Sequence, residues 1–188
     1  MLKAEIVIRE VLESRKRLTQ LELSKLLGFS LSTINNALKP LAEMGAIELK
    51  RGIKIVDKHK VLLYWANKRN LQKDIVYRTF VPKEVSEIEK NMPAGIIYTA
   101  FSAYKFKFEE VPADYSEVYV YADNIEEIKK RFPLKKGPTN LFVLKLDKRL
   151  LEISQQNIAP LSQIFVDLWN IKEWYAKEFI KALEEKIL

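Results

Sequence analysis

Apolar residues recur at helical spacing along the first third of the chain. Between residues 3 and 14, Ile6, Val7, Leu12 and their neighbours fit one helical face. Thr19 followed three residues later by Glu22 is a capping box, and it starts a second helix with Leu23, Leu26 and Leu27 on its buried side. Gly28 ends that helix, because a C-cap favours the left-handed backbone that glycine tolerates. Ser30 serves as N-cap for a third helix from residue 31 to about residue 44. There Ile34, Ala37, Leu38 and Leu41 line up as one apolar stripe. Pro40 falls inside this helix, so a kink or a shifted boundary is expected. Gly45 stops it. Residues 47–50 and 53–55 then alternate as short strands around an Arg51-Gly52 turn. Asp57 caps a fourth helix, residue 58 to about 69, which reads as a link between two domains.

The rest of the chain is mixed. Residues 75–81 read as a strand and 82–92 as a short helix with Pro82 in its first turn. Residues 96–108 are ambiguous between strand and helix. Residues 118–121 and 141–146 read as strands, 125–132 as a short helix, and 160–169 and 172–187 as two closing helices. There is no internal repeat and no low-complexity tract. The fold class expected is α+β. Three helices and then a hairpin give an N-terminal winged helix-turn-helix domain over residues 1–57. A linker helix over 58–74 and a C-terminal mixed α/β domain over 75–188 complete the chain.

A helix-turn-helix needs a short first helix, a tight turn and a second helix that can enter the major groove. Residues 19–56 meet that requirement. The third helix presents Ser32, Thr33, Asn35, Asn36 and Lys39 opposite its apolar stripe, with Ser30 at its start. Asn can bond bidentately to adenine, and Ser or Thr can reach bases or phosphates. Lys39 and the hairpin residues Lys50, Arg51 and Lys54 can neutralise phosphates.

These residues resemble the winged-helix domains of bacterial and archaeal regulators. SLSTINNALKPLAEMGAI is similar to their recognition helix and its exit into the wing, with Pro40 standing where a basic or polar residue is more usual. A second resemblance covers roughly residues 75–187. GIIYTAFSAYKFKF, EVYVYADNIEEIKKRF, NLFVLKL and APLSQIFVDLWNIKEWYAKEFIKALEE are similar to the C-terminal domain of the AbiEi family of winged-helix antitoxins. That resemblance implies a DNA-binding autorepressor that neutralises a nucleotidyltransferase-like toxin encoded beside it.

Charge supports a polyanionic partner. Residues 1–60 hold 12 Lys/Arg against 7 Asp/Glu, and the remaining residues hold 20 against 18. The first third therefore carries most of the net charge of +7. Of 20 aromatic residues, only Phe29 lies in residues 1–60, a shift that separates two domains with different work. No apolar stretch reaches the ~20 residues of a membrane span, and acids interrupt the apolar pattern of the first residues, unlike a signal peptide. There is no cysteine, which excludes disulfides and thiolate metal sites. A cytoplasmic location is expected by elimination.

Enzyme chemistry finds little purchase. No nucleotide-binding glycine motif or nucleophile elbow is present, and no cofactor is expected. The single histidine, His59, sits between Lys58 and Lys60 and reads as a solvated or interdomain residue. A nuclease would need an acid-x-Lys triple on a strand. Glu48-x-Lys50 lies in the wing, while Glu127-x-Lys129 and Glu184-x-Lys186 fall on expected helices. Asp114, Glu117 and Asp123 flank an expected strand and read as solvated. Tyr98, Phe101, Tyr104, Phe106 and Phe108 read as core, with a ligand pocket or base stacking as the alternative. The chain is therefore expected not to be an enzyme. Its expected partners are double-stranded DNA, a second copy in a homodimer and a cognate toxin.

Overall fold

A computed structural model describes residues 1–188 and divides into two compact units, Met1–Arg69 and Asn70–Ile187. The first unit contains helices α1 (Lys3–Glu13), α2 (Gln20–Leu27) and α3 (Leu31–Glu43). A two-stranded hairpin, β1 (Ile47–Glu48) and β2 (Lys54–Ile55), comes next, and helix α4 (Lys58–Lys68) ends the unit. The helix ends form where local chemistry places them. Thr19 accepts the Glu22 N–H at 3.2 Å, and the Glu22 carboxylate takes the Thr19 N–H at 2.7 Å. Gly28 closes α2 at φ +65°, a conformation that costs a side-chain-bearing residue. Helix α3 ends in a Schellman motif, with the Ala46 N–H bonded to the Leu41 carbonyl and the Gly45 N–H to that of Ala42.

Burial of one stripe per helix builds the core of this unit. Val7, Ile8 and Val11 of α1 meet Ile34, Leu38 and Leu41 of α3, and all six are buried. Helix α4 adds Val61, Leu62, Trp65 and Ala66 to the same interior. The expected linker helix is therefore an integral part of the first unit. A buried carboxylate explains why. Glu5 receives the Arg69 guanidinium and the Trp65 indole N–H, each at 3.2 Å, on one oxygen, and the Leu2 N–H at 3.2 Å on the other. Three donors hold one charge and tie the start of α1 to the end of α4.

The second unit opens with a 3-10 turn, Leu71–Asp74. Its elements are β3 (Ile75–Thr79), α5 (Val85–Lys90), β4 (Ile97–Thr99), α6 (Ala100–Phe108), β5 (Val118–Ala122), α7 (Glu126–Arg131), β6 (Leu141–Lys145), α8 (Lys148–Ile153), α9 (Leu161–Trp169) and α10 (Ala176–Ile187). The four strands make one mixed sheet in the order β3-β6-β5-β4. The β5–β6 pair is parallel and the two outer pairs are antiparallel. Every residue of β5 is buried, so both faces of the sheet are covered there. Val118, Val120, Leu141 and Val143 join Ile88, Ile128 and Phe132 in one core cluster. Helices α6, α9 and α10 pack together around Phe101, Tyr104, Phe165 and Phe179. The architecture is thus α+β, with a helical N-terminal unit and a mixed C-terminal one.

Several boundaries differ from the sequence expectation. The helix expected over 82–92 begins at Val85, because the Asn140 side chain clamps the Val81 backbone in extended form through both its N–H (2.7 Å) and its carbonyl (2.9 Å). Residues 96–108 are strand and then helix. They change at Ala100, a buried alanine with φ +51°. The last helix starts at Ala176 rather than residue 172. Helix α8, capped by Asp147 on the Leu150 N–H, has no counterpart in the sequence expectation. Pro40 lies within α3 without shifting its boundary. A proline there leaves the Asn36 carbonyl without its helical donor. Asn36 is exposed, so water can take the bond.

Two of these features set stability. Glu5→Ala removes the carboxylate that receives the buried Arg69 guanidinium and Trp65 indole, and should cost about 3 kcal/mol in urea unfolding. A variant as stable as the parent would mean that the ion pair does not fix α4. Pro40→Ala restores the missing N–H and should stabilise the chain by about 1–2 kcal/mol, net of the lost rigidity of the unfolded state. Unchanged or lower stability would show that the helix has absorbed the proline at no cost.

Candidate nucleic-acid interface

The buried stripe of α3 decides which of its side chains face outward. Ile34, Ala37, Leu38 and Leu41 are inside, so residues 32, 35, 36, 39 and 43 share the opposite face. Ser32, Asn35, Asn36 and Lys39 are exposed on it. Thr33 lies at the flank and is half-buried. Its N–H reaches the Ser30 hydroxyl oxygen at 3.2 Å, and the two hydroxyls lie 2.9 Å apart. Ser30 and Thr33 therefore share one cap at the start of the helix, while the four residues beyond them are presented to solvent. Leu31 is half-exposed in the same first turn. Helical periodicity gives it no role, because an apolar residue off the stripe has no place in the core. An exposed aliphatic side chain there suits a thymine methyl group.

The exposed face is uncharged at its centre and charged at its end. Lys39 lies 3.8 Å from Glu43, one helical turn on, with both side chains well exposed. Such a pair contributes about 0–1 kcal/mol, so Glu43 holds Lys39 only loosely. On α2, Glu22 titrates below the usual carboxylate range because the Thr19 N–H and hydroxyl stabilise its anion. That carboxylate is occupied as a cap.

The hairpin places the remaining candidates. Lys54 stands opposite Glu48 across the two strands, 3.8 Å away. Lys50 and Arg51 occupy the exposed tip and enter no ion pair. The wing is anchored at its root, where the Ile53 N–H bonds to the Leu18 carbonyl at 2.7 Å. At Gly52, a Cβ atom would lie 3.4 Å from the carbonyl oxygens of Arg17 and Leu18. The loop Arg15-Lys16-Arg17, exposed throughout, thus runs beside the wing tip. These three cations extend the basic surface and escape sequence reasoning, because they sit 34 residues or more from Arg51. The only signal was the basic run itself.

The other chemistry-bearing residues are placed elsewhere. Glu48 and Lys50 are in the wing, Glu127 and Lys129 on α7, and Glu184 and Lys186 on α10. Glu117 accepts a hydrogen bond from the Tyr175 hydroxyl, while Asp114 and Asp123 are exposed. No three His, Asp or Glu side chains gather into a group able to hold a metal ion. In the aromatic series, Phe101 and Tyr104 are fully buried, and Phe101 stacks with Tyr115 at 5.4 Å between ring centroids. Burial likewise pushes the Tyr98 hydroxyl up to about 12, with the nearby Glu89 adding to the shift. Phe101 and Tyr104 are therefore core, Tyr98 and Phe108 are half-buried, and Phe106 is exposed. No helix is long and apolar enough to cross a membrane.

Comparison with known proteins agrees with this geometry. The family model described as winged helix-turn-helix DNA-binding matches residues 7–48, from the middle of α1 to the end of β1. Neither the curated proteins nor the solved structures yielded a match. The chain thus carries an N-terminal winged helix-turn-helix DNA-binding domain.

Proposed function

We propose that this chain is a transcription regulator that binds duplex DNA sequence-specifically and represses by occupying it, without catalysing a reaction. One observation carries the reading. The face of α3 opposite a completely buried stripe presents Ser32, Asn35, Asn36 and Lys39, and the basic wing lies in the same unit. Asn35 and Asn36 are the base readers, through the paired donor and acceptor of their amides. Lys39, Lys50, Arg51 and Lys54 serve phosphates, with Arg15, Lys16 and Arg17 as further backbone contacts.

The second unit serves assembly in this reading. Two copies in a homodimer would present two α3 helices to half-sites about one helical turn apart. The antitoxin reading adds a toxin-binding surface within residues 75–188 to the same DNA contact. The shared element of both readings is what an experiment must reach first.

Selection of bound duplexes from a random pool, using the whole chain, should return a defined site and show its symmetry. Against that site, Asn35→Ala with Asn36→Ala should reduce discrimination from a scrambled duplex by about tenfold or more, consistent with ~1–3 kcal/mol per bidentate contact. Loss of affinity with discrimination intact would assign base reading to other residues. Lys50→Ala, Arg51→Ala and Lys54→Ala together should weaken binding to every duplex and lower the slope of log K against log salt by about 2–3. Adding Arg15→Ala and Arg17→Ala should lower it by about 1–2 more. A parent protein with no salt-dependent duplex binding would overturn the reading.

A further inference from the structure

We propose that the second unit holds a binding site for a small anionic molecule with a flat ring system, in the cavity between the segment after β3 and the segment after α7. The cavity has a volume of about 410 Å³, within the ~300–1,000 Å³ range of small-ligand sites. Its walls are Phe80 and Pro82 on one side and Phe132 and Pro133 on the other, with Lys83 and Lys135 contributing charge from the two sides. Rings and prolines offer flat apolar surface, and the two lysines offer point charges to an anion.

The charge is one-sided. No Asp or Glu lines the cavity. Lys83 and Lys135 are exposed and enter no ion pair. Arg131 also lines it, but its guanidinium is engaged by the Asn91 carbonyl at 3.1 Å and by Glu127 at 2.6 Å. It builds the wall, and the two lysines are left for the ligand.

The site is also preformed. Backbone on both sides is pinned by side chains from β3 and from Asn140, the residue before β6. The Tyr77 hydroxyl donates to the Phe132 carbonyl at 2.7 Å. The Thr79 hydroxyl donates to the Pro133 carbonyl at 3.0 Å and accepts the Lys135 N–H at 2.8 Å. Asn140 clamps Val81 from the other side. At Gly137 a Cβ atom would stand 2.3 Å from the Phe80 ring, so the absence of a side chain there lets the ring lie against the backbone. A surface loop that needed only to connect two elements has no use for so many fixed contacts. A cavity whose shape must persist before a ligand arrives does.

The site lies wholly within residues 80–135 of the second unit, so it stands or falls apart from the DNA reading. The test is amide chemical-shift mapping of the whole chain titrated with salicylate and with AMP, which carry a ring with a carboxylate or a phosphate. Adenosine and inorganic phosphate supply the ring and the charge separately. At least one ring-bearing anion should shift the resonances of residues 80–83 and 131–135 with a Kd of about 1 mM or tighter. Adenosine and phosphate should each bind about tenfold more weakly. Lys83→Glu with Lys135→Glu, both at exposed positions, should preserve the spectrum and weaken the anion by about tenfold or more. Gly137→Ala should displace Phe80 and weaken the ringed anion while leaving inorganic phosphate unchanged. The proposal is overturned if neither anion shifts these residues, if the double variant binds the anion as tightly as the parent, or if inorganic phosphate or adenosine binds as tightly as the ring-bearing anion that shifts them.

Discussion

Helix α3 must bury one stripe and keep the opposite face wet, and the first unit is arranged around that requirement. A stripe of four residues leaves a free face only if neighbouring helices cover one side of α3 and no more. Helices α1 and α2 do so. Val7, Ile8 and Val11 sit against Ile34, Leu38 and Leu41, and Leu23 of α2 is also completely buried. The carboxylate of Glu5 then fixes the opposite end of the arrangement by holding Arg69 and Trp65 of the α4 segment. A buried carboxylate with three donors is costly to disturb from any side, which makes it an anchor rather than a source of net stability. The exposed face of α3 is therefore what a packing solution leaves over. Its polar residues are outward because everything else about the helix is spoken for.

The second unit solves a different problem. Strand β5 is buried from both faces, and polar groups enclosed with it need internal partners. Asp167, fully buried on α9, accepts from the Thr99 and Tyr121 hydroxyls at 2.7 and 2.6 Å and from the Gln163 amide at 3.1 Å. Those partners come from the end of β4, from β5 and from α9 itself, so one carboxylate ties a helix to two strands. Buried polar networks of this kind fix geometry when every member is satisfied. The same economy operates at the rim, where Thr79 and Asn140 hold the loops around the cationic cavity. At the rim the side chains take backbone N–H groups, of Lys135 and Val81, whereas Asp167 takes only side-chain donors.

What the sequence made legible was whatever depended on neighbours a few residues away. The capping box of Thr19 and Glu22, the caps at Gly28, Ser30 and Asp57, and the apolar stripe of α3 are all local, and each stands where periodicity and capping rules put it. Features that depend on distant partners were hidden. The role of α4 rests on a contact between Glu5 and Arg69, 64 residues apart. The change from β4 to α6 turns on a left-handed Ala100, and an alanine gives no warning of positive φ. Arg15, Lys16 and Arg17 gain meaning only because the wing bonds to Leu18. Within the candidate interface, residue types on the exposed face and the Ser30 cap could be read, whereas the contact between the Ser30 and Thr33 hydroxyls could not. Two hydroxyls three apart at a helix start serve equally well as a cap or as ligands until the backbone is seen.

Under the proposed function, the distribution of charge on the first unit would separate affinity from specificity. The centre of the reading face is neutral and amide-bearing, while the cations lie at its end and on the wing and neighbouring loop. Lys39 and Lys54 are each paired with a glutamate at 3.8 Å, whereas Lys50, Arg51 and the Arg15–Arg17 loop are not. Exposed pairs of this length hold their lysines loosely, at about 0–1 kcal/mol. A phosphate could displace the glutamate readily, but the acid would remain nearby and reduce the net attraction. The unpaired cations carry no such offset. In the proposed function, non-specific attraction would therefore come mainly from the wing tip and the loop beside it. In the proposed function the helix face would contribute less to affinity and more to choice of sequence, because an amide set over the wrong base leaves its own donor and acceptor unsatisfied.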